Sequence, residues 1–333
     1  DDGHGAQIIE LASGHATMPS IVALDANDQP IVGRLALKKA VRDPEFTFAN
    51  FKRQIGKAFI EGEDYGPQIV PGPDDRRMYR GRSRLWAPEE LSAEILKALK
   101  ARAGDRIGGK VTGAVITVPA YFDNDRIKAT KDAGRLAGFK KVTILTEPEA
   151  AVLAYGLNRR KFGRVVIFDL GGGTFDIVIA NVGGGFFKPL AKSGNDELGG
   201  VDWDRPIRQA LVDAFHEQHG RELPALSKLR LDPEAEAAKK ELSEAEDTQI
   251  DIWNASLDPE GSGMLDVKLS LTRDKFNEMT KHLVDNAMDI TRRTLAAAEV
   301  LPEQITDVLL VGGMTRVPAV RKAVADYFGA ARL

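Results

Sequence analysis

The 333-residue chain contains no cysteine. Disulfides and thiolate metal sites are therefore excluded, and the composition fits a reducing cytoplasm. Histidine is scarce. His4, His15, His216, His219 and His282 form no metal-ligand cluster in the sequence. His216 and His219 stand three apart on an expected helix, in no acid-rich context that would make a Zn site, and read as solvated surface. No excess of either charge exists: the net charge of −3 gives no case for nucleic acid or an anionic membrane. No apolar run reaches the length of a membrane span, and no charged-then-apolar signal opens the chain. The first residue is not methionine, and residues 1–7 are polar, so the start reads as a cut edge or a processed end. Three familiar signatures are missing as well: G-x-G-x-x-G opening a βαβ unit, G-x-x-x-x-G-K-[ST], and the nucleophile elbow G-x-S-x-G. Their absence argues against a dinucleotide oxidoreductase, a Walker-type ATPase and an elbow hydrolase.

What is present is an ordinary globular balance, 43% hydrophobic and 29% charged, in a length sufficient for two cores. Short strands alternate with helices, which predicts an α/β protein. Strands are expected at 8–11, 20–24, 113–118, 142–145, 248–253, 264–270 and 307–311. Helices are expected at 46–59, 88–103, 124–137, 149–157, 204–219, 233–245, 273–298 and 317–327. Residues 62–84, with three prolines, read as irregular. The basic run NRRKFG (158–163) reads as a boundary between two lobes, 1–160 and 161–333, with 200–285 as an outer part of the second. Val118-Pro119-Ala120 is echoed by Val317-Pro318-Ala319, as a duplicated architecture would produce.

The most informative stretch is IFDLGGGTFDIV (167–178). An apolar strand runs into Asp169, Gly171, Gly172 and Gly173 make a turn, and Thr174 and Asp176 lead into a returning strand. Three glycines free the backbone to aim its N–H groups at an oxyanion, most often a phosphate. The two carboxylates and the hydroxyl beside them suit Mg²⁺ and an ordered water. The other reading is a plain hairpin with a flexible tip.

Four further patterns each admit two readings. VLLVGGMTRVPAV (308–320) ends a strand in Gly312 and Gly313 before a helix, either as a phosphate-facing turn or as close packing. In FANFKRQIG (48–56), Lys52 and Arg53 interrupt an apolar pattern, as a solvated helix face also would. Glu147, at a strand end, either contributes to a site or caps the next helix. In EAAKKELS (236–243), Glu236, Lys239 and Ser243 share one helical face, which serves base recognition or an ordinary surface pair.

These motifs, with VPAYF followed by KDAGRLAG, TEPEAAVLAYGL and ELGGVDWD, stand in one order along the chain. Together they resemble the nucleotide-binding domain of the seventy-kilodalton heat-shock chaperones, from about residue 10 to residue 328. The resemblance implies an α/β, actin-like (ribonuclease H-like) ATPase fold of two lobes with central mixed sheets, binding ATP or ADP with Mg²⁺ and allowing K⁺. It implies Lys52, Glu147, Asp169 and Thr174 as catalytic, and Asp169, Asp176 and Glu147 as metal residues acting mostly through water. It implies that Gly171, Gly172, Gly173, Gly199, Gly200, Gly312 and Gly313 line the nucleotide. Glu236, Lys239, Lys240, Ser243 and Arg316 would hold the adenosine. Pro119 and Arg126 would relay nucleotide state to a peptide-binding domain. Implied partners are a J-domain cochaperone, a nucleotide-exchange factor and unfolded polypeptides, with a monomeric, cytoplasmic protein expected.

The departures are specific. The family's first phosphate hairpin, D-L-G-T-T, has no counterpart, and residues 8–20 resemble the segment that follows it. The resemblance does not extend to a peptide-binding domain. Met314 stands where serine is usual, and Lys240 where an adenine-stacking arginine is usual; an ammonium stacks less well than a guanidinium. Two rival readings remain: a fragment that binds nucleotide without turnover, and another actin-like protein, a sugar kinase or a filament subunit.

Overall fold

The computed structural model describes residues 7–11, 16–40, 42–156, 162–228, 230–257 and 263–333. The chain forms two compact units. One comprises Asp1–Val118 with Phe122–Leu145, the other Pro119–Tyr121 with Thr146–Leu333.

In the first unit, β1 (Val22–Leu24) and β2 (Pro30–Val32) form a hairpin, followed by α1 (Arg34–Ala40). The Asp25 carboxylate closes the turn by accepting from Asn27 N and Gln29 N, both at 2.8 Å. β3 (Thr47–Phe48) pairs with the other edge of β1. The helix expected over 46–59 therefore does not form. Asn50 (φ +57°) and Gly56 (φ +69°) take left-handed values that an α-helix cannot contain. Phe48 and Phe51 instead join Val22, Tyr79, Leu91 and Ile95 in one core. The stretch expected to be irregular holds an antiparallel meander: β4 (Ile69–Pro71), β5 (Arg77–Arg80) and β6 (Leu85–Trp86). Its prolines stand at a strand end and in a turn, where no ladder donor is needed.

Helix α2 (Pro88–Ile107) runs four residues past its expected end, carrying Gly104 inside and stopping at Gly108 (φ +63°). Leu91 and Ile95 are buried, but Leu99 is not. β7 (Gly113–Val118), α3 (Asn124–Leu136) and β8 (Lys141–Thr146) follow. Asp123 caps α3 by accepting from Arg126 N at 2.9 Å. Residues 8–11 form no regular strand.

The second unit contains α4 (Glu147–Ala154), β9 (Gly163–Leu170), β10 (Phe175–Gly183), β11 (Phe186–Asn195), α5 (Gly200–His219), α6 (Ala225–Lys228), α7 (Leu231–Glu241), β12 (Asp247–Leu257), β13 (Met264–Thr272), α8 (Arg273–Ala297), β14 (Asp307–Val311) and α9 (Pro318–Phe328). Strand β11 and helix α6 were not legible in the sequence. The central sheet is mixed, in the order β11-β10-β9-β14, with only β14 parallel to its neighbour β9. Both of its faces are covered, and the strand period sorts the residues. Val166, Phe168 and Leu170 enter the large core with α5, α7, α8 and α9, while Val165 and Ile167 enter a smaller one with Ala120 and Val152. Pro318 opens α9 as its first residue, whereas Pro119 lies five residues before α3, so the two Val-Pro-Ala segments are not equivalent. Residues 157–161, including most of the expected lobe boundary, and 258–262, between the strands expected at 248–253 and 264–270, lie outside the described residues.

Candidate functional site

The second unit assembles most of the candidate residues around the tip of the β9–β10 hairpin. Asp169 and Asp176 are directly opposite in the antiparallel register, so both project from one face. Strand parity makes it the face of Ile167, Val178 and Ala120. Two carboxylates facing each other across a ladder repel, which favours a cation or hydrogen-bond donors beside them. Asp176 is 1% exposed, and its Oδ1 accepts from Ala120 N at 3.1 Å. The Ala120 carbonyl in turn accepts from Lys192 Nζ at 2.6 Å.

Three glycine segments meet at the hairpin tip. Gly171 N donates to Thr174 O at 3.0 Å, closing the turn. The first turn of α5 docks on it: Gly200 N donates to Gly171 O (3.0 Å) and Val201 N to Gly172 O (2.9 Å). A Cβ at Gly199 would stand 2.4 Å from Gly173 C, so only glycine permits this approach. From the other side, Val311 pairs with Asp169, and Gly312 follows at φ +87°. A Cβ there would lie 2.2 Å from Leu170 O. By contrast, nothing lies within 4 Å of the Cβ positions of Gly172 and Gly313. The glycines thus divide into those that lock the junction and those that leave its outer side open to a ligand. The cradle combines glycine backbone at the start of a 20-residue helix with a hydroxyl and two carboxylates, and the first N–H groups of that helix are bonded within the junction.

Asp202 holds the junction by accepting from Gly199 N at 2.7 Å, and it pairs with Arg205 at 3.3 Å. This acid was not singled out from the sequence, although an acid three residues into a helix is the signal for such a cap. Met314 is 4% exposed, and its Sδ lies 3.3 Å from the Gly200 Cβ position, so this residue packs under the junction.

The adenosine candidates divide. Lys239 on α7 is buried; its Nζ donates to Gly200 O at 3.0 Å and pairs with Asp204 at 2.8 Å. Burial pushes the Asp204 carboxyl up to about 6, outweighing the pull of the Lys239 ammonium. Lys240 and Glu236 pair with each other at 2.6 Å on the exposed side of α7. Ser243 Oγ donates back to Lys239 O at 3.2 Å. Arg316 is exposed at the end of the 3-10 turn Gly313–Arg316. Glu147 opens α4, but Glu149 provides the cap by accepting from Thr146 N (3.0 Å) and Thr146 Oγ1 (2.6 Å). Glu147 itself belongs to the acidic first turn of α4, where the helix-end reading also places it.

The first unit holds Lys52 and Arg126 together. Arg126 is 5% exposed, its Nη2 donates to Lys52 O at 3.5 Å, and its guanidinium lies 3.8 Å over the Phe122 ring. Lys52 is exposed on the 3-10 turn Phe51–Arg53. Among the described residues, no group of three or more His, Asp or Glu side chains is arranged to hold a metal ion. A cavity of about 520 Å³ in the first unit and one of about 430 Å³ in the second are lined by none of the glycine junction. No helix among the described residues is long and apolar enough to cross a membrane.

Comparison with known proteins shows the family of the chain. A model of the Hsp70 protein family matches residues 2–332. The chain belongs to the Hsp70 family. It is 41% identical over 334 residues to the "Chaperone protein DnaK" of two strains of Thermus thermophilus, covering 98% of this chain and 54% of theirs. It is 38% identical over 336 residues to the protein of the same name from Deinococcus proteolyticus, covering 98% of this chain and 53% of that one. The chain therefore spans about half the length of these relatives. Membership in the Hsp70 family makes the fold the expected one, the actin-like ATPase fold of the family's nucleotide-binding domain, and the mixed sheet with its glycine hairpin is part of it.

Proposed function

We propose that this chain binds ATP and ADP at the glycine junction and hydrolyses ATP, as the nucleotide-binding domain of a chaperone. The observation that carries the reading is the meeting of Gly171–Gly173, Gly199–Gly200 and Gly312–Gly313 with an open outer side at Gly172 and Gly313. In this reading the outer side of the hairpin turn at Gly172 and of the turn at Gly313 faces the phosphates. The Thr174 hydroxyl lies beside the γ-phosphate. Asp169 and Glu147 would hold the water shell of Mg²⁺ and the attacking water, and Asp176 would serve the metal and a K⁺ site. Mg²⁺, when bound, neutralises phosphate charge. The Lys52 ammonium stabilises the charge developing in the transition state. Glu236, Lys239, Lys240, Ser243 and Arg316 hold the adenosine, while Pro119 and Arg126 report the nucleotide state.

In a protein of the length of the relatives, that state would govern binding and release of unfolded polypeptides in the cytoplasm, with a J-domain cochaperone and a nucleotide-exchange factor as partners. The relatives' name as chaperones supports this part. Single-turnover hydrolysis of ATP by the chain and by Lys52→Ala tests the catalytic claim. A rate lower in Lys52→Ala by at least tenfold is expected. Equal rates overturn turnover and leave a module that binds nucleotide only.

A further inference from the structure

Lys239 is held in an unusual place for a residue expected to reach a ligand. It is 6% exposed, with its Nζ wedged between the Asp204 carboxylate and the Gly200 carbonyl. A Cβ on Gly200 would stand 2.9 Å from that Nζ and 3.3 Å from Gly172 Cα, so the ammonium and the glycine turn pack on two sides of one residue. A continuous chain of bonds results. Asp204 holds Lys239, Lys239 donates to Gly200 O, Gly200 N donates to Gly171 O, and Val201 N donates to Gly172 O. The helix carrying the adenosine candidates is thereby tied to the turn that faces the phosphates.

We propose that Asp204 is a positioning residue, fixing Lys239 so that α7 and the Gly171–Gly173 turn present adenosine and phosphate contacts as one rigid piece. The proposal rests on the nucleotide reading above and adds to it a residue outside the predicted contacts. Its physical basis is the behaviour of a buried ammonium. Without a counter-charge it either loses its proton or leaves for solvent, and the bond to Gly200 goes with it.

The surroundings make the device sensitive to pH. From α7, Lys239, Glu236 and Asp232 act on Asp204. On its own helix, Asp202 is paired with Arg205 and Arg208 with Asp232. With its carboxyl titrating near 6, Asp204 loses its charge on mild acidification, and the counter-charge beside Lys239 goes with it. Asp204→Asn keeps the shape and an acceptor oxygen but removes the charge at every pH.

Two measurements test this. Affinity for adenosine, a ligand without phosphate, is expected to be about tenfold weaker in Asp204→Asn than in the unmodified chain at pH 7.5. The two should converge at pH 5, because the unmodified chain weakens there and the variant does not. Asp204→Glu should recover part of the loss at pH 7.5. Equal affinities at pH 7.5, or a loss of the same size at both pH values, overturn the positioning role. Independently of any ligand, amide hydrogen exchange at Gly200 and Val201 is expected to quicken in Asp204→Asn at pH 7.5; unchanged exchange overturns the tie between α7 and the turn. A chain that binds no adenine nucleotide yet shows the exchange effect would keep the tie and sink the nucleotide reading instead.

Discussion

Strand β9 in the central sheet of the second unit and strand β7 of the first are both mostly apolar, yet they are buried to different extents. Strand β9 reads GRVVIFDL and has Val165, Val166, Ile167 and Phe168 all at 2% exposure or less. Strand β7 reads GAVITV, but Val115 is 64% exposed. The difference lies in what covers the faces. The four-stranded sheet has a helix layer on one side and Ala120 with Val152 on the other. Among the described residues, β7 and β8 form a two-stranded sheet whose packed face meets α2 and α3 through Ala93, Ala137 and Val142. An apolar run states that a strand can be buried on both faces, and neighbours decide whether it is. The glycine junction stands on the sheet that is rigidified on both sides, which suits a site needing fixed backbone donors.

The largest effect that would sharpen this contrast is expected from Phe168→Ala. Phe168 is fully buried, with its ring 4.7 Å from that of Phe175. Its truncation should destabilise the second unit by about 4 kcal/mol in urea unfolding, through lost burial and an unfilled cavity. A loss below about 1 kcal/mol would show that this sheet is as loosely covered as β7–β8.

Next in size is a contrast within the junction itself. Gly312→Ala places a Cβ against the Leu170 carbonyl in a left-handed conformation and should cost on the order of 3 kcal/mol. Gly172→Ala meets open space, so stability should stay within about 0.5 kcal/mol, while ADP affinity falls because the turn faces the ligand. If Gly172→Ala binds ADP unchanged, the open side of the junction is not the phosphate side.

A smaller effect concerns the pH dependence of stability. The Asp204 carboxyl titrates near 6 in the fold against 3.8 for a free group, so the native state binds the proton more tightly than the unfolded state. The contribution of this group therefore falls as pH rises between about 4 and 6, and is constant above that. Relative to Asp204→Asn, the unmodified chain should lose stability across this window. A relative gain over the same window would show that the Lys239 attraction outweighs burial.

Legibility in the sequence followed the range of the interactions. The β9–β10 hairpin was legible around its turn because its glycines, acids and β-branched residues are adjacent, and the strands at 248–253 and 264–270 were legible as separate runs. The helix expected over 46–59 failed because Phe48 pairs with Val22, a partner 26 residues away that no local period reveals. Strand β11 was hidden by Pro189, which an edge strand tolerates. At the site, the glycines announced themselves, but the partners of Lys239 did not. Asp204 lies 35 residues upstream, and its role exists only because α5 and α7 pack together. The motif VPAYF named Pro119 and missed that Ala120 is held between Asp176 and Lys192.

The smallest expected effect is the most direct test of the opening contrast. Val115→Ala removes two methyl groups from a side chain that is mostly in solvent, so the burial term that dominates at Phe168 is nearly absent. What remains is the lower strand propensity of alanine, a few tenths of a kcal/mol. Urea unfolding of Val115→Ala should therefore lie within about 0.5 kcal/mol of the unmodified chain. Val115→Thr keeps the β-branch and should lie closer still, since its hydroxyl is hydrated rather than buried. A loss above about 1.5 kcal/mol in either variant would mean that the outer face of β7 is covered in solution. Because Thr nearly matches Val in shape, a loss confined to Val115→Thr would locate that cover as an apolar contact rather than a lost strand preference.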